Sequence, residues 1–245
     1  MMIEDRTRTY TIAMERTVVP ENFSFRMTDE EYRVLEKIKN SIPVCYLADH
    51  ADFALGIVTG NNKKFLSAEK TEHSEMVLKG TDICKYHINP AKQYLRFEPE
   101  QFQQVAPLEI YRAPEKLLYR FISNQLVVAY DDRQMLSLNS CNIVIPKIEG
   151  MQIKYILAIL NSSVSQFVYQ KEFHSIKVLR AHMEHIPIPR VGKAIQNEII
   201  AMTEPLICGM GKEAAETCQK RLDCRIMDLF RLSAEEQWII RHALH

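Results

Sequence analysis

Arg112, Lys116 and Arg120 recur at four-residue steps between Tyr111, Tyr119 and Tyr130 in the stretch Y-R-A-P-E-K-L-L-Y-R-F-I-S-N-Q-L-V-V-A-Y-D. Cationic side chains with aromatic neighbours suit a phosphate backbone and the edges of bases. Pro114 argues against a continuous helix here, because it lacks an N–H donor and restricts the residue before it. The pattern predicts a strand, a turn at Ser123-Asn124-Gln125 and a second strand over Leu126–Tyr130. Alternation then puts Lys116, Leu118 and Arg120 on an outward face, with Leu117, Tyr119 and Phe121 towards a core. An ordinary solvated sheet face has the same pattern, and these residues alone favour that plainer reading.

A second polar group lies in G-I-V-T-G-N-N-K-K-F, Gly56 to Phe65. A strand followed by a tight turn would present Asn61, Asn62, Lys63 and Lys64 to a polar partner. A hairpin whose Gly and Asn supply positive φ accounts for the same residues. Groups for catalysis are harder to find. Gly209-Met-Gly211 is the only G-x-G and follows no strand, so neither a dinucleotide fold nor a phosphate loop is supported. G-x-S-x-G is absent. His182-Met-Glu-His185 has metal-like spacing, but lacks H-E-x-x-H order and an obvious third ligand. No metal site is expected, and the chain alone is expected to perform no reaction.

Composition bounds these readings. Lysine plus arginine and aspartate plus glutamate balance at 31 each among 245 residues, so any positive surface must be local. The six cysteines form no C-x-x-C pair, and the charged start MMIEDRTRTYTI carries no apolar leader core. Reduced thiols in a cytoplasmic protein are expected, and no run approaches the 18 apolar residues of a membrane span.

The elements that must position these groups follow in order. Residues 1–43 form a lead-in with possible anchors at Tyr10, Ile12, Val18, Val19, Phe23 and Phe25. T-D-E-E at Thr28 then caps a helix ending near Asn40. Short apolar runs follow as strand candidates over Val44–Leu47, Phe53–Val58, Met76–Leu78, Tyr86–Ile88, Tyr94–Phe97, Leu117–Ile122, Leu126–Tyr130 and Cys141–Ile145. Helical spacing returns over residues 151–173, interrupted or re-capped at Asn161-Ser162-Ser163. I-P-I-P at 186–189 marks a boundary near 190. Residues 191–245 carry helical spacing at Ala215, Cys218, Leu222, Ile226 and Leu229, then a second capping box, S-A-E-E at Ser233. Trp238 is expected as a core or interface anchor. The fold class is α+β: a β-rich domain over 44–190 followed by a C-terminal helical segment over 191–245.

With these pieces placed, the chain resembles the TaqI-like C-terminal specificity domain, the target-recognition region of adenine-specific DNA methyltransferases and fused restriction–modification enzymes. The likeness rests on G-I-V-T-G-N-N-K-K-F, V-L-K-G-T-D-I-C-K-Y-H-I, Y-L-R-F, P-E-K-L-L-Y-R-F-I, Y-I-L-A-I-L-N-S-S, I-K-V-L-R and I-P-I-P in that order. The closing D-C-R-I-M-D-L-F-R-L-S-A-E-E resembles the helical ending of such chains. The resemblance implies contact with double-stranded DNA, while a separate catalytic domain flips and methylates an adenine with S-adenosylmethionine. The sequence lacks N-P-P-Y, D-P-P-Y and a glycine-rich loop for the methyl donor, so it is similar to the recognition part alone. No cofactor is expected in this chain, and S-adenosylmethionine is expected only in a catalytic partner.

Carried over residue by residue, the resemblance places DNA contacts at Thr59, Asn61, Lys63 and Lys64; at Lys79, Thr81 and Lys85; and at Arg112, Lys116 and Arg120. Asn61 or Asn62 would suit adenine and an arginine would suit guanine. The implied partners are double-stranded DNA and an adenine-specific methyltransferase or restriction domain, with no membrane and with self-association open to the C-terminal helices. A reading of another class stays open: a protein-interaction module that docks on a methyltransferase subunit without binding DNA.

Overall fold

The computed structural model describes residues 2–4, 9–11, 27–173 and 175–244. The expected anchors Ile12, Val18, Val19, Phe23 and Phe25 lie outside the described residues. Strands β1 (Met2–Glu4) and β2 (Thr9–Thr11) pair antiparallel ahead of helix α1 (Asp29–Asn40). Thr28 and Glu31 complete the expected capping box, and Val34, Leu35 and Ile38 form its buried stripe. Next come β3 (Val44–Cys45), β4 (Ala51–Ala54), α2 (Asn62–Phe65), β5 (Leu66–Ser67), β6 (Ser74–Leu78), β7 (Tyr94–Arg96) and α3 (Leu108–Tyr111). The middle of the chain supplies β8 (Lys116–Arg120), β9 (Val128–Asp131), β10 (Leu136–Ser137) and β11 (Cys141–Pro146). Helices α4 (Ile153–Asn161), α5 (Ser163–Glu172) and α6 (Arg180–Glu184) precede β12 (Ile188–Pro189), and α7 (Lys193–Cys208), α8 (Lys212–Leu229) and α9 (Ala234–Ala243) close the chain.

Sheet and helices together make the fold α+β. One antiparallel sheet, ordered β4-β11-β8-β9, is covered on both faces. Leu117, Tyr119, Val128, Tyr130 and Val144 pack on one side with side chains of α1, α4, α5, α7, α8 and α9. Leu118, Ala129, Cys141 and Ile143 pack on the other with the second sheet, ordered β10-β6-β7-β5. The alternation expected in β8 is therefore real, but its second face meets another sheet instead of water. Each large apolar side chain fully buried here contributes about 1.5–3 kcal/mol of transfer free energy.

The edge of β9 away from β8 is closed by side chains and by the Tyr86 backbone, whose N–H donates to the Val128 carbonyl at 2.7 Å and whose carbonyl accepts the Tyr130 N–H at 3.1 Å. Asn161 Oδ1 accepts the Val128 N–H at 3.1 Å, and its Nδ2 donates to the Val128 carbonyl at 2.8 Å. Gln166 Oε1 accepts the Leu126 N–H at 2.8 Å. Ser162 then breaks the helical run: its hydroxyl donates to the Ile159 carbonyl and accepts the Ser165 N–H, capping α5. The N-S-S triplet thus ends one helix, starts the next and satisfies a sheet edge.

Three expectations need correction. Gly56–Phe65 does not make a hairpin; Gly60, at φ +74°, leads into the helical turn α2, which Asn61 caps. Tyr86–Ile88 does not make a strand: Tyr86, at φ +74°, adds only a parallel bridge to Ala129 at the β9 edge. Of the two roles expected for Trp238, its exposure excludes the core: the ring is 56% exposed and stacks on His242 at 3.8 Å. Among the described residues, no helix is long and apolar enough to cross a membrane.

Candidate nucleic-acid interface

Three backbone segments distant in sequence run parallel at the β10 edge of the second sheet. Ile57 bridges Leu138, and Leu136–Ser137 pairs with Val77–Leu78. The ladder is closed by bonds from Ile57 N to Ser137 O at 2.7 Å, Asn139 N to Ile57 O at 3.1 Å and Leu138 N to Leu78 O at 2.8 Å. Because the segments share a direction, the turns that follow them leave the sheet at one end. Those turns are Thr59–Asn62, Asn139–Ser140 and Lys79–Thr81.

Glycines make this close approach possible. A Cβ on Gly56 would stand 2.1 Å from the Leu138 carbonyl oxygen, and one on Gly80 would stand 2.5 Å from that of Ser140. Gly80 N also donates to Ser140 Oγ at 3.0 Å, tying two of the turns together. The first turn is braced from within: the buried Thr59 hydroxyl donates to Asn62 Oδ1 at 2.7 Å. Lys64 N donates to Asn61 Oδ1, and Lys64 Nζ donates to Gln101 Oε1 at 2.8 Å. Phe65 meets Phe102 edge-on at 5.2 Å, anchoring the helical turn against the 99–104 segment.

The expected contact residues divide sharply. Asn61, Asn62, Lys63, Lys64 and Thr81 are exposed, and Lys79 is half-buried. Lys63 and Lys79 form no ion pair among the described residues. Thr59 supports the turn from beneath. Asn139, at the centre of the three turns, is exposed and went unnoticed in the sequence, where a lone asparagine before Ser140 carries no signal.

The basic set of 112–120 does not have the outward face expected of it. Lys116 is wholly buried, with Nζ 2.6 Å from Asp131 Oδ2 and 2.6 Å from the Tyr111 carbonyl. Burial pushes its amine pKa down while the Asp131 carboxylate opposes the shift. Arg112 makes two bonds to the Glu75 carboxylate, at 2.6 and 2.7 Å, and a third to the Gln134 carbonyl. Arg120 donates from Nη2 to the Ile83 carbonyl. All three cations are thus committed within the chain: Arg112 to β6 and the 134 turn, Lys116 to β9 and the end of α3, and Arg120 to the Ile83 carbonyl. Tyr111 and Tyr119 are buried too, so neither ring offers a stacking face.

Lys85 also turns inward, with Nζ 3.2 Å from the Asn161 carbonyl, and burial lowers its pKa. His182, read earlier for metal-like spacing, accepts the Leu179 N–H on Nδ1 and stacks on Phe173 at 4.4 Å. No grouping of three or more metal-ligating side chains occurs among the described residues.

Solved structures of restriction–modification proteins are similar to this chain. The DNA-bound type IIL restriction–modification enzyme MmeI is similar over 84% of this chain and 37% of its own, at 10% identity and a TM-score of 0.55. The HsdS subunit from Thermoanaerobacter tengcongensis aligns over 88% of this chain and 50% of its own, at 14% identity and a TM-score of 0.43. The type IIG restriction endonuclease BpuSI aligns over 83% and 33%, at 10% identity and a TM-score of 0.48. The chain therefore spans half or less of the length of these structures. No curated protein matches the sequence. The match that bears on the site is to the TaqI-like C-terminal specificity domain, a recognition unit that is not itself catalytic, over the stretch holding β6, β8, β9, β11 and α4–α6. Residues 75–188 of this chain match the model of the TaqI-like C-terminal specificity domain family.

Proposed function

We propose that this chain is the non-catalytic sequence-recognition part of a restriction–modification system, binding duplex DNA through the turns at 59–64, 79–81 and 139–140. The observation that carries the proposal is the arrival of Asn61, Asn62, Lys63, Lys64, Lys79, Thr81 and Asn139 at one end of three parallel segments. Lysines there meet phosphates and fix register; asparagine amides pair in bidentate fashion with adenine edges. Arg112, Lys116, Arg120 and Lys85 support this face or the helical layer from inside. An adenine-specific methyltransferase or restriction component supplies chemistry and holds S-adenosylmethionine, and both work beside cytoplasmic DNA. The C-terminal helices offer the surface for that component or for a second copy.

Selection from a random duplex pool with the purified chain tests this reading. The expected outcome is a short defined sequence, with enrichment lost when Asn61, Asn62 and Asn139 are all replaced by alanine. A pool that stays random while the chain remains folded refutes it. A docking module for a methyltransferase is the second reading, favoured by the zero net charge and by the internal pairing of three cations.

A further inference from the structure

A second site, largely apolar in surface but lined by several charged side chains, lies between α5, α8 and α9, independent of the DNA reading. It is a cleft of about 530 Å³ whose lining includes Lys85, Lys220, Arg241, Asp223, Gln166 and Gln170. Three cations thus face one carboxylate, and that carboxylate is already engaged. Asp223 accepts the Ser163 N–H at 2.9 Å and its hydroxyl at 2.8 Å, capping the start of α5.

Among the described residues, Asp223 is the one carboxylate that acts on Lys85 and Arg241, and it is shared with the Ser163 cap. Arg241 Nη2 donates to Cys224 Sγ at 3.3 Å, Met227 Sδ at 3.9 Å and Gln237 Oε1 at 3.2 Å, two of them weak sulfur acceptors. It forms no salt bridge among the described residues. Lys85 Nζ has one carbonyl, and the exposed Lys220 has no hydrogen bond or ion pair among the described residues. Gln166 is only 5% exposed, and its Nε2 meets no acceptor among the described residues, although its Oε1 is bonded. A buried amide N–H left without an acceptor is costly, and this one belongs to a side chain lining the cleft.

We propose that this cleft binds the phosphate group of a small phosphorylated molecule of nucleotide size. Its free groups are donors and cations, a set that one oxyanion satisfies together. A guanidinium fork matches phosphate in geometry, and the volume falls in the range of small-molecule sites. Lys220 and Lys85 add charge, and Gln166 Nε2 supplies a neutral donor.

Isothermal titration calorimetry of the full chain with AMP, and separately with inorganic phosphate, tests this. Saturable AMP binding is expected, weakened about tenfold by Arg241→Gln and by Lys220→Gln, the loss of one charge-assisted bond. The exposed Lys220 position keeps the test decisive if Arg241→Gln loosens α9. Three results overturn the proposal: no AMP binding at millimolar concentration, as with an adventitious inorganic ion only; AMP affinity unchanged in both variants; or displacement of AMP by duplex DNA, which would make the cleft part of the DNA surface.

Discussion

Replacing Lys116 with methionine removes the cation of a fully buried ion pair while keeping most of the side-chain volume. Asp131 takes the ammonium at 2.6 Å together with the Arg133 and Met135 N–H groups at 2.9 Å each, so it orders the turn after β9. In Lys116→Met the carboxylate keeps only those two donors, and the Tyr111 carbonyl loses its bond. Breaking a buried pair from one side costs about 3–5 kcal/mol, because the remaining charge is left without compensation. For a chain of this size each kcal/mol moves the melting temperature by about 2–4 °C, so a fall of about 6–20 °C is expected. Adding Asp131→Asn removes the stranded charge while an amide oxygen remains for the turn, so the double variant is expected to recover part of the loss. Thermal unfolding of the four proteins of this cycle, beside their DNA affinity at a temperature where all are folded, provides the assay. A Lys116→Met protein that melts with the wild type but loses DNA affinity would refute the assignment of Lys116 to the core and return it to the interface.

Gly80→Ala should cost about 1–3 kcal/mol, since the new Cβ would stand 2.5 Å from the Ser140 carbonyl oxygen and the two turns must separate; urea unfolding measures the loss. Asn139→Ala should leave stability unchanged and cost about 1–3 kcal/mol in discrimination between the selected duplex and a mismatched one, measured by competition. His182 gives a pH signature. Burial, with His185 adding to it, holds its imidazole below the ordinary pKa, and its neutral Nδ1 accepts a backbone N–H. The unfolded chain therefore binds the proton first, so stability falls as pH drops below about 6.5 towards the folded pKa. Melting curves between pH 7 and 5.5 should show this decline in the wild type and a shallower one in His182→Gln.

Local grammar was legible in the sequence. T-D-E-E and S-A-E-E each state a helix start in adjacent residues, and both capping boxes form. N-S-S showed where one helix gives way to the next, because Ser162 caps through a hydroxyl three residues from its partner. The alternation of Leu117, Leu118 and Tyr119 gave the two faces of β8 correctly. What covers those faces was not legible, because a period of two does not distinguish water from a second sheet. Lys116 looked solvated for that reason; its partner Asp131 lies opposite it only in the β8–β9 register. The recognition turns meet through pairings of Ile57 with Leu138 and of Leu136–Ser137 with Val77–Leu78, which no local pattern announces. Asn139 was missed on that account. Gly56 and Gly80 carried the only hint, as positions where another backbone comes too close for a Cβ.

The most direct measurement is fluorescence anisotropy of the chain with a labelled duplex across a series of salt concentrations, run beside Lys63→Ala/Lys64→Ala. A DNA-reading face at these turns requires affinity that falls linearly with salt on logarithmic axes, and a double variant whose slope is smaller by up to about two units. Absence of binding even at low salt, or a slope unchanged in the variant, would contradict the placement of the DNA surface on these turns.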